Sequence, residues 1–298
     1  MITETTMLYL YVETPLHAGV GSGLSSIDLP IQRERTTQYP MIQGSGIKGK
    51  LRATAEEVWK DEPTIVNVLF GPPATGASEY AGALVVGDAR LLLFPVRSLN
   101  GVFAYTTSYE VLYRFLRDRG REESANELPW EMPAPVEGKA LVTTTSQVHT
   151  ANKLVLEEFS FDAQADPSVD KIAQWLAQSA LPNFGNTYWS ERIKRSLVIL
   201  PDDDFRDFAL YATEVITRVR LDRQTKTVVR GALWTEEHLP VDTLLYVPIY
   251  ATNARQNGAR MTAAQVLEKV RSLGTIAHNY LQLGGDETVG RGIVRMRW

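Results

Sequence analysis

Residues 7–60 read MLYLYVETPLHAGVGSGLSSIDLPIQRERTTQYPMIQGSGIKGKLRATAEEVWK. The opening residues alternate and are rich in β formers, which predicts a strand over 7–13 with Leu8, Leu10 and Val12 toward the core. A glycine-rich loop, HAGVGSGLSS, follows at 17–26, and an extended segment runs on to Pro40. Beyond it Ile47, Leu51, Ala55 and Val58 recur at helical spacing. Gly44 and Gly46 sit just ahead of them, with Ser45 as the expected N-cap. Strand, glycine loop, extended segment and helix in this order predict an α+β fold around one central sheet.

The rest of the chain continues the alternation. LVVGDARLLLFPV at 84–96 reads as one strand, and LLYVPIY at 244–250 as a buried one. A helix is predicted over 109–118, with Ser108 as N-cap and Gly120 past its end. Further helices are predicted near 168–180 and over 203–219, the latter from Phe205, Phe208, Ala212, Val215 and Val219. Thr262-Ala-Ala-Gln265 has the form of a capping box and opens a helix expected to stop at Gly274. Residues 217–234 read as two strands joined by a polar turn around Asp222–Lys226. Residues 120–140, proline-rich and without periodicity, read as an insertion or lid rather than core. No linker, repeat or low-complexity segment divides the sequence, so a single domain over 1–298 is expected.

Composition narrows the classes. A hydrophobic share of 44% with 22% charged residues is enough to build a core without covalent staples. The absence of cysteine excludes disulfides, thiolate nucleophiles and zinc–thiolate sites, and fits a cytoplasmic chain. The first residues lack the basic-then-apolar pattern of a signal peptide. No apolar run approaches the ~20 residues a membrane span needs, so no membrane partner is expected. The net charge of −4 taken as a sum argues against a polyanion partner. Its distribution argues the other way. Arg33, Arg35, Lys48, Lys50 and Arg52 stand against Glu34 alone, and Arg218, Arg220, Arg223, Lys226 and Arg230 against Asp222 alone. Two such basic segments can carry a polyanion on one face, although solvated surfaces look the same in sequence.

Four motifs carry chemistry. In the first, Gly19 and Gly21 of His17-Ala-Gly-Val-Gly let a backbone approach a phosphate or ribose. His17 there can act as acid, base or phosphate contact, and Asp28 can ligate a divalent metal or orient a ribose hydroxyl. The second, Gly44-Ser-Gly-Ile-Lys-Gly-Lys-Leu-Arg52, lacks Walker A spacing, yet it feeds a helix N-terminus with Ser45, Lys48, Lys50 and Arg52 beside it. The third, RVRLDRQTKTVVRGALWTEEH at 218–238, is a basic ribbon whose Glu236, Glu237 and His238 can supply acid–base or metal chemistry. The fourth, GGDETVGRG at 284–292, holds Gly284, Gly285, Gly290 and Arg291 in a loop able to track a nucleic-acid backbone. Each also reads, taken singly, as an ordinary glycine-rich or charged surface.

The order of these motifs is more specific than any one of them. The strand with its His-x-Gly loop, IQGSGIKGKLR, the basic hairpin with LWTEEHLP, and GGDETVGRG together resemble the RAMP superfamily of CRISPR proteins. Within it they are similar to the repeated backbone subunits of type III-B (Cmr) effector complexes, with the type III-A backbone as near neighbour. The resemblance runs through most of the chain and is weakest over 60–180. It implies a modified RRM, or ferredoxin-like, palm with inserted helical fingers over 60–180 and a thumb hairpin over 217–238. It implies copies stacked head to tail along a CRISPR guide RNA beside other Cmr subunits. It further implies metal-dependent cleavage of a complementary target RNA at regular intervals, with Mg2+ or Mn2+. The family's catalytic aspartate falls on Asp28, which would also be the metal ligand. His17 carries over as a phosphate or catalytic contact, and Glu236 and His238 as further active-site candidates. Family members often carry an aromatic residue where His238 stands. Other readings remain: a guide-binding subunit that does not cut, a free-standing processing nuclease, and an unrelated phosphate-binding enzyme. A lone histidine near 17 speaks against the processing nuclease.

Overall fold

The computed structural model describes residues 2–22, 26–73, 76, 79–120, 130–134, 138–256, 258 and 260–298. The chain is a mixed α+β structure built on a 13-stranded, mostly antiparallel sheet. Across it run Tyr280–Gln282, Ile293–Arg297, Glu4–Val12, Leu244–Ala251, Ala89–Arg97, Phe103–Ser108, Leu197–Leu200, Lys139–Val142, Phe159–Ala165, Lys153–Leu156 and His149–Thr150. Met41–Ile42 pairs with Ala89–Arg97, and Leu84–Val86 with Leu244–Ala251. Among the described residues two neighbouring pairs are parallel: Leu197–Leu200 with Phe103–Ser108, and Lys139–Val142 with Phe159–Ala165.

Both faces of the sheet centre are covered, so every residue from Met7 to Val12 is buried, not only Leu8, Leu10 and Val12. Alternation assigns the two faces. Tyr9 and its partner Tyr246 meet Phe115 of the helix Tyr109–Arg119, with ring centroids 6.2 and 5.2 Å away. Thr6 points the other way, where its hydroxyl accepts from Arg271 of the helix Ala263–Ile276 at 2.6 Å.

Two predicted caps hold. The Ser108 hydroxyl accepts from the Val111 amide, and Thr262 and Gln265 form a reciprocal capping box. Other boundaries move. The helix Gly44–Val58 starts after Gln43, so Ser45 is its second residue and caps nothing; Asp88 instead accepts from the Gly44 amide at 2.8 Å. That contact breaks the strand expected over 84–96 into two at Gly87-Asp88. A Cβ on Gly44 would lie 2.4 Å from the Val86 carbonyl oxygen, so only glycine lets the helix come this close. Gly274 lies inside its helix rather than ending it. The helix expected over 203–219 stops at Tyr211, and Glu214–Leu221 is a strand.

Of the insertion expected over 120–140, residues 121–129 and 135–137 lie outside the described set. Trp130 within it is core: it is 4% exposed, stacks on Phe115 and meets Trp175 edge-on. Strands from 84 to 165 likewise belong to the large sheet, so this region is not an appendage to it.

Glu214–Leu221 and Val228–His238 form a separate two-stranded hairpin. Asp222 shapes its turn by accepting from the Gln224 and Thr225 amides at 2.9 and 2.8 Å, and these bonds hold its carboxyl below the usual range. The root of the hairpin is stitched to the N-terminal segment by bridges at Leu16–Leu239 and Leu29–Glu236.

Candidate nucleic-acid interface

Sheet order brings three of the four motifs together. The strand Ile293–Arg297 lies beside Glu4–Val12, so the loop before it meets the loop after Val12. Gly284, with φ of 80°, packs on the His17 backbone: a Cβ there would sit 2.2 Å from the His17 carbonyl oxygen. The Gly285 amide donates to that same oxygen at 3.0 Å. Gly19, Ser45, Lys50, Gly284 and Gly285 thereby line one cleft of about 510 Å3. Backbone free of side chains, a helix N-terminus and a lysine in one groove suit a phosphodiester backbone. Lys50 reaches Glu287 at 3.3 Å in a half-exposed pair that a phosphate can outbid.

His17 stands at the edge of this cleft. Its Nδ1 lies 2.7 Å from the Glu237 carbonyl oxygen. A carbonyl only accepts, so Nδ1 carries a proton, and in the neutral ring Nε2 is the acceptor. Nε2 lies over Gly19, where an added Cβ would come within 2.5 Å of it. Glycine at 19 therefore makes room for the imidazole.

The strand Val228–His238 sorts the remaining candidates by alternation. Trp234, Glu236 and His238 share one face, Thr235 and Glu237 the other. Glu236 accepts from the Trp234 indole at 2.7 Å and from Arg218 at 2.8 Å. Burial works against its charge, but these donors outweigh burial and hold its carboxyl below the usual range. His238 is buried, with its ring 5.4 Å from that of His17. Burial pushes its imidazole below the ordinary histidine range, and His17 pushes the same way against the pull of Glu236. Asp286 completes this group from the C-terminal loop.

Asp28 stands apart from that cluster. Its exposed carboxylate accepts from the Thr235 amide at 2.8 Å and from the Thr235 hydroxyl at 3.0 Å, both through Oδ2. The Asp28 amide donates back to that hydroxyl at 3.0 Å. Asp28 is thus fixed at the hairpin root and open to solvent.

The basic residues divide into two sets. Arg220, Arg223 and Lys226 are exposed on the hairpin, free to meet phosphates. Four others are engaged by internal partners. Arg33 donates to Glu237 at 2.5 Å and to the carbonyls of Gln38, Ala209 and Leu210. Lys48 donates to the Leu84 carbonyl at 2.9 Å, and burial lowers its pKa. Arg52 holds the carbonyls of Gly71 and Pro72. Arg218 bridges Glu236 and Asp286. Arg291 is half-buried with its charge toward Glu214 and His238, while Gly21 and Gly290 have φ of 90° and 77° and open space around them.

Sequence reading passed over Glu237 as a keystone, Asp286 as a member of the cluster and Thr235 as the anchor of Asp28. Glu237 and Thr235 carry a weak signal, since they alternate with Glu236 and His238 on a strand that was recognised. Asp286 carries none, because its loop has no periodicity.

A model of the RAMP superfamily matches residues 9–295. A protein of Pyrococcus furiosus described as CRISPR system Cmr endoribonuclease Cmr4 is 40% identical over 291 residues, covering 96% of this chain and 93% of that protein. The solved structure of oligomeric Cmr4 from the same organism is similar with a TM-score of 0.73 at 34% identity, covering 99% of this chain and 97% of that one. A chain of the type III-B Cmr-beta complex bound to cognate target RNA shares the fold, with a TM-score of 0.74 at 23% identity over 100% of this chain and 98% of its own. A family model that runs from the first strand to the last, through every loop that builds the cleft, places this chain in the RAMP superfamily.

Proposed function

We propose that this chain is the repeated backbone subunit of a type III-B RNA-guided complex, binding guide RNA and cleaving complementary target RNA at regular intervals. The observation that carries this is the convergence of Gly19, Ser45, Lys50, Gly284 and Gly285 on one cleft beside His17. The endoribonuclease name of the Pyrococcus furiosus relative and the oligomeric state of its structure support it. In this reading the large sheet is the palm and the 214–238 hairpin the thumb. Copies stack head to tail with other Cmr subunits beside them, a heterologous contact that does not close and so propagates along the guide. Guide–target pairing supplies sequence specificity, and the protein holds backbone.

The chemistry asks little of the protein. The 2′-hydroxyl of the target attacks the adjacent phosphorus, a P–O2′ bond forms and the P–O5′ bond breaks, leaving a 2′,3′-cyclic phosphate and a 5′-oxygen that takes its proton from water. His17 Nε2 accepts the proton leaving the 2′-oxygen. The fixed cleft holds the strand so that the attacking oxygen lies in line with the leaving one. A divalent ion, Mg2+ or Mn2+, held through the exposed Asp28 carboxylate would stabilise charge building on the phosphate oxygens.

The test is cleavage of a guide-complementary RNA by the reconstituted complex with magnesium, comparing wild type with Asp28→Ala. Regular cuts should fall by about 10²–10⁴-fold in the variant with guide binding intact. Bound but uncut target with the wild type would instead assign a purely structural subunit, a reading favoured by the engagement of Asp28 with Thr235. Equal cutting by both would take Asp28 out of the chemistry.

The exposed hairpin cations make a separate prediction. Replacing Arg220, Arg223 and Lys226 together by alanine should weaken single-stranded RNA binding and flatten the slope of log affinity against log salt by about 2. Unfolding stability should move by no more than about 0.5 kcal/mol for each substitution, since these side chains are exposed. An unchanged salt slope would show that the hairpin does not touch phosphate.

A further inference from the structure

At the hairpin root Glu236, His238 and Asp286 each present one ligand atom within 4.8 Å of the others. His238 Nε2 stands 3.9 Å from a carboxylate oxygen of each acid. The His238 side chain is 0% exposed, and neither of its ring nitrogens hydrogen-bonds to a described residue. A buried imidazole without a partner is costly, on the order of 1–3 kcal/mol for each unmet polar group. Its distance to both carboxylates is too long for a hydrogen bond and leaves room for an ion between them.

Arg218 explains only part of this geometry. Its guanidinium donates to Glu236 at 2.8 Å and to Asp286 at 2.6 Å, so it supplies the positive charge the two carboxylates require. It leaves both nitrogens of His238 unbonded. A divalent ion would give both carboxylates and one imidazole nitrogen a partner at once. Two carboxylates and an imidazole suit an ion of the Mn2+ kind better than Ca2+, which prefers oxygen alone. The guanidinium is reached by solvent, with a quarter of the Arg218 side chain exposed, so it can leave without unfolding the root.

We propose that Glu236, His238 and Asp286 form a divalent-cation site, and that Arg218 fills it as a surrogate cation when no ion is bound. The site joins Asp286 to Glu236 and His238, the two further active-site candidates of the resemblance, and is separate from Asp28, which is tied to Thr235 on the other face of the strand.

The probe is Mn2+, titrated into the full chain free of RNA and followed by electron paramagnetic resonance. The wild type should take up Mn2+ with nitrogen hyperfine coupling from a directly bound imidazole. Arg218→Met should tighten uptake by about tenfold or more, because the competing charge is gone. Adding Asp286→Asn to that variant should reverse the gain; asparagine tolerates the left-handed backbone at 286, where φ is 61°, so the loop is retained. His238→Gln should abolish the nitrogen coupling. Uptake by Arg218→Met no tighter than wild type, or manganese bound without any nitrogen coupling, would overturn the proposal. Neither result depends on whether the complex cuts RNA.

Discussion

Arg33→Ala should cost about 3–5 kcal/mol of folding stability, the loss expected when one partner of a buried ion pair is removed. Glu237 has only 3% of its side chain exposed and Arg33 12%, so water cannot replace the missing charge. The guanidinium also binds the carbonyls of Gln38, Ala209 and Leu210, tying the N-terminal segment to the end of the helix Asp202–Tyr211. Glu237 in turn accepts from the Ile31 amide at 3.0 Å and the Thr213 hydroxyl at 2.8 Å. One pair therefore joins the extended segment, the helix end, the residue before the first hairpin strand and the second hairpin strand. Arg33→Lys should recover only part of the loss, because an ammonium cannot reproduce four bonds on a planar fork. The double variant Arg33→Met, Glu237→Leu should recover much of it, since no lone charge is left buried. Urea unfolding midpoints at constant m-value measure all three. A loss below about 1 kcal/mol for Arg33→Ala would mean that the pair behaves as an exposed one and that the hairpin root is loose.

Arg33 also shows where sequence reading ends. In sequence it joins Arg35, Lys48 and Arg52 in a basic run, and nothing local reveals that Glu237 takes its charge. Local signals were legible wherever they rest on neighbours in the chain: Ser108 and Thr262 as caps, the strand expected over 7–13, the turn at Asp222. The helix end was misread for a definite reason. Val215 and Val219 lie four residues apart, a spacing that fits a helical face and one face of a strand equally. Tyr211 ends the helix, and both valines belong to the exposed hairpin. Gly274 was read as a stop, but within its helix it admits the Trp298 indole: a Cβ there would lie 3.0 Å from Nε1. The glycine loops were each visible; their meeting was not, because it depends on which strands of the sheet are neighbours.

That meeting can be tested at three glycines that differ in backbone conformation and in what surrounds them. Gly284→Ala should destabilise the chain strongly. Its φ of 80° puts a side chain in the left-handed region, worth on the order of 1–3 kcal/mol of strain, and the new Cβ would sit 2.2 Å from the His17 carbonyl oxygen. The backbone must then part there, losing the bond from the Gly285 amide to His17 and the wall of the cleft with it. Gly290→Ala meets the same kind of strain at φ of 77° but nothing within 4 Å, so it should lose only about 1–2 kcal/mol. Gly19→Ala has no such strain; its Cβ would meet only the tip of the His17 ring, 2.5 Å from Nε2, which can swing aside. It should keep its stability while cutting of target RNA falls, because the imidazole no longer lies over the cleft. If Gly284→Ala proves no less stable than Gly290→Ala, the C-terminal loop does not pack on His17. The cleft would then lose the contact that joins its two ends. If Gly19→Ala cuts as the wild type does, the His17 imidazole is not the proton acceptor, and proton transfer must fall to another group.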